Sequence, residues 1–256
     1  MKKALMVVSF GTAVPDARQS IGQIEKELCA AMPGYDFYRA FTSSIVRGKI
    51  EREEGLHIPG AGELAEQLLA AGYEEVCCQS LHVMPGLEYE KMCRELAPYR
   101  DKFVRFTVGE PLLSAPEDCR RLCGALLAGL PERTEEEAWV YMGHGSEHFA
   151  NAVYSELENQ FRALGAERVY VATVEGFPGL DYIRGRLQTR QVRRVTLAPL
   201  MVVAGDHARN DLAGDEEDSW KSVLVREGCE VRLDLRGLGD FPAVREQFVD
   251  HCRNGK

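Results

Sequence analysis

The sequence predicts an α/β protein of two similar lobes, each a parallel sheet flanked by helices, with an internal pseudo-repeat and a cleft between the lobes. Three observations carry this expectation. Short apolar runs alternate with helical segments along the whole chain, and a βα order builds parallel sheets. The order of elements begins again after Gly129–Glu137, where proline and charge break the periodicity. Similar residue blocks then recur at matching places in the two halves.

In the first half, Leu5–Phe10 reads as a strand and Ala17–Ala31 as a helix with Ile21, Ile24 and Leu28 on one face. Asp36–Phe41 is a strand. Ser43 or Ser44 then caps a helix carrying Ile45, Val46 and Ile50, which Gly55 stops. After a glycine-rich loop come helix Glu63–Ala71, strand Glu75–Val83, helix 88–97, strand 103–108 and helix 116–128. The second half opens on strand Trp139–Met142, followed by helix 148–164 with Phe149, Val153, Leu157 and Phe161 four residues apart. Strand 168–174, helix 178–188, strand 192–203, a helical region to about 227, strand 230–235 and helix 242–252 complete it. The domains expected are 1–131, an N-terminal lobe, and 132–256, a C-terminal lobe.

Composition excludes several classes of function. Hydrophobic residues at 45% and charged residues at 28% describe an ordinary globular chain. Only seven apolar or small residues follow Lys3 before Gly11, which fits a first strand rather than a leader. No stretch approaches the ~18 apolar residues of a membrane helix, so a soluble, cytoplasmic protein is expected. In that compartment the eight cysteines are expected as free thiols, and without a CxxC pair a thiolate metal site is not expected. A net charge of -9 argues against nucleic acid and anionic membranes as partners. Dinucleotide, P-loop and serine-hydrolase motifs are all missing.

Two histidines stand out at strand ends, where open α/β sheets present ligand-binding groups. His144 lies in Gly143-His144-Gly145-Ser146, framed by glycines that allow a sharp turn and leave the imidazole uncovered; Ser146 is placed to cap the next helix. His207 lies in Gly205-Asp206-His207-Ala208-Arg209-Asn210-Asp211, with Asp206 as the expected cap or imidazole partner. Glu175 ends a third strand, expected beside the one leading to His144. Two imidazoles and a carboxylate would make an open site for a divalent transition metal. His82 reads as a core histidine; His57, His148 and His251 carry no assigned role.

The pseudo-repeat aligns Val8-Ser9-Phe10-Gly11-Thr12 with Met142-Gly143-His144-Gly145-Ser146, and Val83-Met84-Pro85-Gly86-Leu87-Glu88 with Val202-Val203-Ala204-Gly205-Asp206-His207. Phe10 therefore corresponds to His144 and Glu88 to His207. Glu88 is a candidate proton acceptor or cation guide, or an ordinary helix-N-terminal carboxylate.

These blocks, with Gln79-Ser80-Leu81-His82-Val83, Gly86-Leu87-Glu88-Tyr89 and Val174-Glu175-Gly176, run in one order over essentially the whole chain. In that order the chain resembles the anaerobic sirohydrochlorin cobaltochelatases of the class II chelatases, relatives of ferrochelatase. The resemblance implies two α/β lobes enclosing a tetrapyrrole, with His144, Glu175 and His207 holding the incoming cobalt. It implies His144 and His207 as catalytic residues, His144 accepting the proton, and Glu88, Phe10, Gly11 and Thr12 on the substrate wall. It implies ATP-independent insertion of Co2+ into sirohydrochlorin, or its reduced precursor precorrin-2, in anaerobic cobalamin biosynthesis. The partners are then the tetrapyrrole and a divalent metal that is substrate, with no prosthetic group; a homo-oligomer is left open. Ferrochelation for sirohaem and a carrier without turnover are the competing readings.

Overall fold

The computed structural model describes residues 1–130 and 136–256. Two four-stranded parallel sheets form the framework among these residues. The break expected at 131/132 lies at residues 131–135, outside the described residues. By compactness the chain divides into Met1–Ser114 with Pro242–Lys256, and Ala115–Phe241.

The first unit contains β1 (Lys3–Ser9), α1 (Arg18–Ala31), β2 (Asp36–Phe41), α2 (Ser44–Glu54), α3 (Ala61–Ala70), β3 (Glu75–Ser80), α4 (Leu87–Leu96) and β4 (Arg105–Gly109). Its sheet runs β2-β1-β3-β4. β1 and β3 are buried almost throughout, as expected of central strands covered on both faces. The choice left open at the start of α2 resolves to Ser43, whose hydroxyl accepts from Val46 N at 3.3 Å; Gly55 ends the helix at φ +66°. β3 stops at Ser80, so His82 lies in the following loop, yet it is buried.

The second unit contains α5 (Pro116–Ala128), β5 (Glu137–Gly145), α6 (Ala152–Ala163), β6 (Val169–Glu175), α7 (Leu180–Thr189), β7 (Arg194–Pro199), α8 (Trp220–Arg226) and β8 (Glu230–Leu233). Its sheet runs β6-β5-β7-β8, the same order as the first with each strand replaced by its counterpart. Its core joins Val140 and Met142 of β5 to Tyr170, Ala172, Val195, Leu197, Ile183 and Leu187. The buried Glu158 of α6 is offset by Arg162 and Arg186 and accepts from Val171 N of β6, fixing that helix to the sheet.

Three expectations shift. α6 starts at Ala152, and its buried line is Tyr154, Leu157 and Phe161; Phe149 instead lies in a 3₁₀ turn with its ring 89% exposed. β7 ends at Pro199, and Met201–Gly205 crosses the sheet end as loop. The helical region after His207 is a π turn, Ala208–Leu212, separated by loop from α8.

The final helix α9 (Pro242–Arg253) packs on α1, β3 and β4, and α5 packs on α6. Each unit therefore takes as a covering helix a segment that sequence order assigned to the other lobe. All eight cysteines are free thiols; Cys77 and Cys252 are buried with Sγ atoms 3.4 Å apart. Among the described residues no helix is long and apolar enough to cross a membrane.

Candidate metal centre

In the second unit, strand order reverses between β5 and β7, because β6 lies on one side of β5 and β7 on the other. Such a switch point opens a crevice at the carboxyl ends of the strands. His144 is the penultimate residue of β5, and His207 follows β7. The two imidazoles meet there edge to face, with centroids 4.6 Å apart and planes at 89°. Their side chains are 43% and 40% exposed, open enough to receive a ligand.

The glycines around His144 are dictated by close contact. A Cβ on Gly145 would lie 1.5 Å from Glu175 O, and its φ of +87° is left-handed. A Cβ on Gly143 would lie 2.2 Å from the Tyr154 ring. Tyr154 is held beneath the strand end by backbone hydrogen bonds with Gly145 and His144, while burial pushes its phenol pKa up. Gly145 pairs in register with Glu175 on β6, as expected of neighbouring strands.

Hydrogen bonds define the imidazole tautomers. A carbonyl oxygen only accepts, so the 3.0 Å contact between His144 Nδ1 and Gly145 O places the proton on Nδ1 and leaves the Nε2 lone pair free. His207 Nδ1 donates in the same way to Asp211 Oδ2, at 2.6 Å. The expected partner Asp206 is replaced by Asp211, because the π turn brings residue 211 beneath the imidazole; Asp206 is exposed.

Glu175 ends β6 with its carboxylate exposed and Oε2 3.9 Å from His144 Nδ1. The structure thus joins His144 to both His207 and Glu175. Among the described residues, however, no three His, Cys, Asp or Glu side chains lie together so that they could hold a metal ion.

Ser146 does not cap α6; its hydroxyl accepts from His148 N at 3.1 Å. His148 instead caps the 3₁₀ turn, its Nδ1 accepting from Ala150 N. Asn151 ties the loops after β5 and β6 together, its Oδ1 accepting from Ser146 N at 3.0 Å and its Nδ2 donating to Phe177 O at 2.6 Å. Phe149 and Phe177, each on one of those loops, expose large apolar rings. No motif flags Asn151 or Tyr154. Asp211 was readable four residues after His207, on the same face of the helical region expected there.

In the first unit, Phe10, Gly11 and Thr12 follow β1, and Glu88 opens α4 after β3, again on either side of a strand-order reversal. Phe10 is exposed. Gly11 has φ +92°, and a Cβ there would lie 2.4 Å from the Phe41 ring, a constraint parallel to that on Gly145. Thr12 is buried, its Oγ1 accepting from Val14 N. The Glu88 Oε2 atom makes no hydrogen bond, and Lys91 Nζ lies 3.9 Å away while donating to Thr42 O. His82 is a satisfied core histidine: Nδ1 is 2.9 Å from Ser80 Oγ, and burial, then the Lys91 charge, lowers its pKa to about 4.

The chain and its fold have counterparts among known proteins. The family model for cobalt chelatase (CbiK) matches residues 3–255. A sirohydrochlorin cobaltochelatase of Salmonella typhimurium is 42% identical over 252 residues, covering 98% of this chain and 95% of that one. The sirohydrochlorin cobaltochelatase CbiKC of Nitratidesulfovibrio vulgaris is 33% identical over 253 residues, covering 98% and 89%. Among solved structures, SirB from Bacillus subtilis with Fe3+ has the same fold at TM-score 0.67 and 16% identity, covering 99% of this chain and 95% of that one. Full-length similarity at these identities shows that the chain belongs to the cobalt chelatase (CbiK) family.

Proposed function

We propose that this protein inserts Co2+ into sirohydrochlorin, or its reduced precursor precorrin-2, as an ATP-independent chelatase of anaerobic cobalamin biosynthesis. The observation that carries this reading is the pair of strand-end imidazoles, 4.6 Å apart, whose Nδ1 atoms are both engaged and whose Nε2 lone pairs remain free. Names given to the relatives that match over nearly the whole chain support the substrate and the metal.

Insertion exchanges two pyrrole N–H protons for one divalent ion. The site therefore needs donors that hold cobalt exchangeably and a base that works near neutral pH, and histidine serves both needs. We assign His144, His207 and Glu175 as metal ligands, with Co2+ as substrate and no prosthetic group. His144 and His207 are the catalytic residues, and His144 accepts a ring proton at Nε2. The exposed rings of Phe149 and Phe177 suit an apolar macrocycle face. Phe10, Gly11, Thr12 and Glu88 hold corresponding strand-end positions in the first unit, and we assign them to tetrapyrrole binding. Free thiols are in keeping with the cytoplasm.

The test is anaerobic optical titration of sirohydrochlorin with Co2+, and separately with Fe2+, with catalytic protein. Many equivalents of cobalt-ring per protein are expected, formed faster than the spontaneous reaction and faster than iron. His144→Ala and His207→Ala should each slow insertion by at least ~100-fold while the protein stays folded. A single equivalent of product would mark a carrier, and faster iron insertion a ferrochelatase; either result sinks the reading.

A further inference from the structure

The two histidines differ in what stands behind them. His144 Nδ1 donates to a neutral backbone carbonyl, that of Gly145. His207 Nδ1 donates at 2.6 Å to a carboxylate, that of Asp211, also an ion pair when the imidazole is protonated. This contact is built by the backbone. The segment after His207 winds as a π turn over Ala208–Leu212, flanked by four-residue turns in which Arg209 N is bonded to Gly205 O and Gly214 N to Asn210 O. A Cβ on Gly214 would meet Asn210 O at 2.3 Å, so the turn closes only with glycine there. Isolated π turns of this kind recur at functional sites.

A carboxylate hydrogen-bonded to the far nitrogen of an imidazole fixes its tautomer and raises the donor strength of the free nitrogen. We propose that Asp211 is a positioning residue for cobalt. It holds His207 as the Nδ1–H tautomer and makes His207 Nε2 the stronger of the two imidazole donors. His207 is then the retaining ligand; His144, whose Nδ1 donates to a carbonyl and has the Glu175 carboxylate no nearer than 3.9 Å, is the ligand that releases. The proposal rests on the metal reading above and adds to it a division of labour between the histidines.

The experiment titrates Co2+ into metal-free protein without tetrapyrrole, following the cobalt absorption bands, and reads the His207 tautomer from ¹⁵N chemical shifts. Asp211→Ala should weaken cobalt binding about 10- to 100-fold and release His207 into mixed tautomers. Asp211→Asn, whose amide can accept from Nδ1–H or donate to a bare Nδ1, should lose both the charge and the fixed tautomer and weaken binding as well. His207→Ala should cost more affinity than His144→Ala. Asp211→Ala binding within twofold of the parent overturns the proposal, as does Asp211→Asn binding like the parent with His207 still in a single tautomer. If His207→Ala binds cobalt like the parent, the metal reading itself falls, and the two failures are thereby told apart.

Discussion

At Gly145 two separate constraints meet, a left-handed φ and a strand neighbour with no room for a methyl group. Gly165 offers the contrast, since its φ is +79° but nothing lies within 4 Å of an added Cβ. Gly165→Ala should cost only the backbone term, about 1–2 kcal/mol. Gly145→Ala adds a collision with Glu175 O, and is expected to cost more than Gly165→Ala and to abolish metal insertion. Thermal unfolding and the insertion assay check both. The second residue with a measurable signature is His82. Its pKa in the folded protein lies below the ordinary 6.5, at about 4, so the folded state resists its protonation. The stabilisation is complete above pH 6.5 and is lost as pH falls toward 4, amounting to about 3 kcal/mol in full. The fully exposed His57 has the opposite sign, its pKa being raised chiefly by Glu63, so its contribution fades as pH rises. Urea midpoints should fall between pH 6.5 and 5, and His82→Gln should flatten that slope; an unchanged slope would remove His82 as its source.

Among elements, those with strong periodicity and clear stops were legible from residues alone. α1 buries Ile21, Ile24 and Leu28 as spaced, and α2 ends at Gly55. Ends beyond a strand were less legible, because apolar loop residues continue the strand pattern: Met201–Val203 look like β7 but turn over the sheet end. Phe149 misled for a related reason, its spacing from Val153 being helical while its backbone is already a 3₁₀ turn. The histidines and Glu175 were readable from their place after apolar runs. Two of their supports were not, since Tyr154 and Asn151 act through contacts across the fold; the third, Asp211, stood at the i,i+4 spacing of an ordinary helix face, where the nearer Asp206 was read in its place. One element invites removal. α9 buries Val244, Phe248, Val249 and Cys252, and Gln247 Nε2 donates to Leu112 O at 2.7 Å. At ~1.5–3 kcal/mol for each large apolar side chain, its loss approaches the whole stability of a domain. A chain ending at Phe241 should lose hydrogen-exchange protection in β3 and β4 while β5–β7 keep theirs. Protection retained in β3 and β4 would show that α9 is dispensable.

For the molecule as a whole, the pseudo-repeat was the most informative part of the sequence. The two sheets share one strand order, and Gly11 and Gly145 adopt the same left-handed backbone at the position the repeat aligned. Hidden from sequence order was the exchange of covering helices, because a helix's apolar face does not name the sheet it covers. That exchange has a consequence for biosynthesis. The ribosome makes Met1–Ser114 first, but Pro242–Lys256, which completes that unit, emerges only after all of Ala115–Phe241 has been made. At ~5–20 residues per second the delay is on the order of ten seconds. The contiguous second unit is free to fold as it leaves the exit tunnel, while the nascent first unit waits with β3 and β4 lacking the helix that packs beside α1.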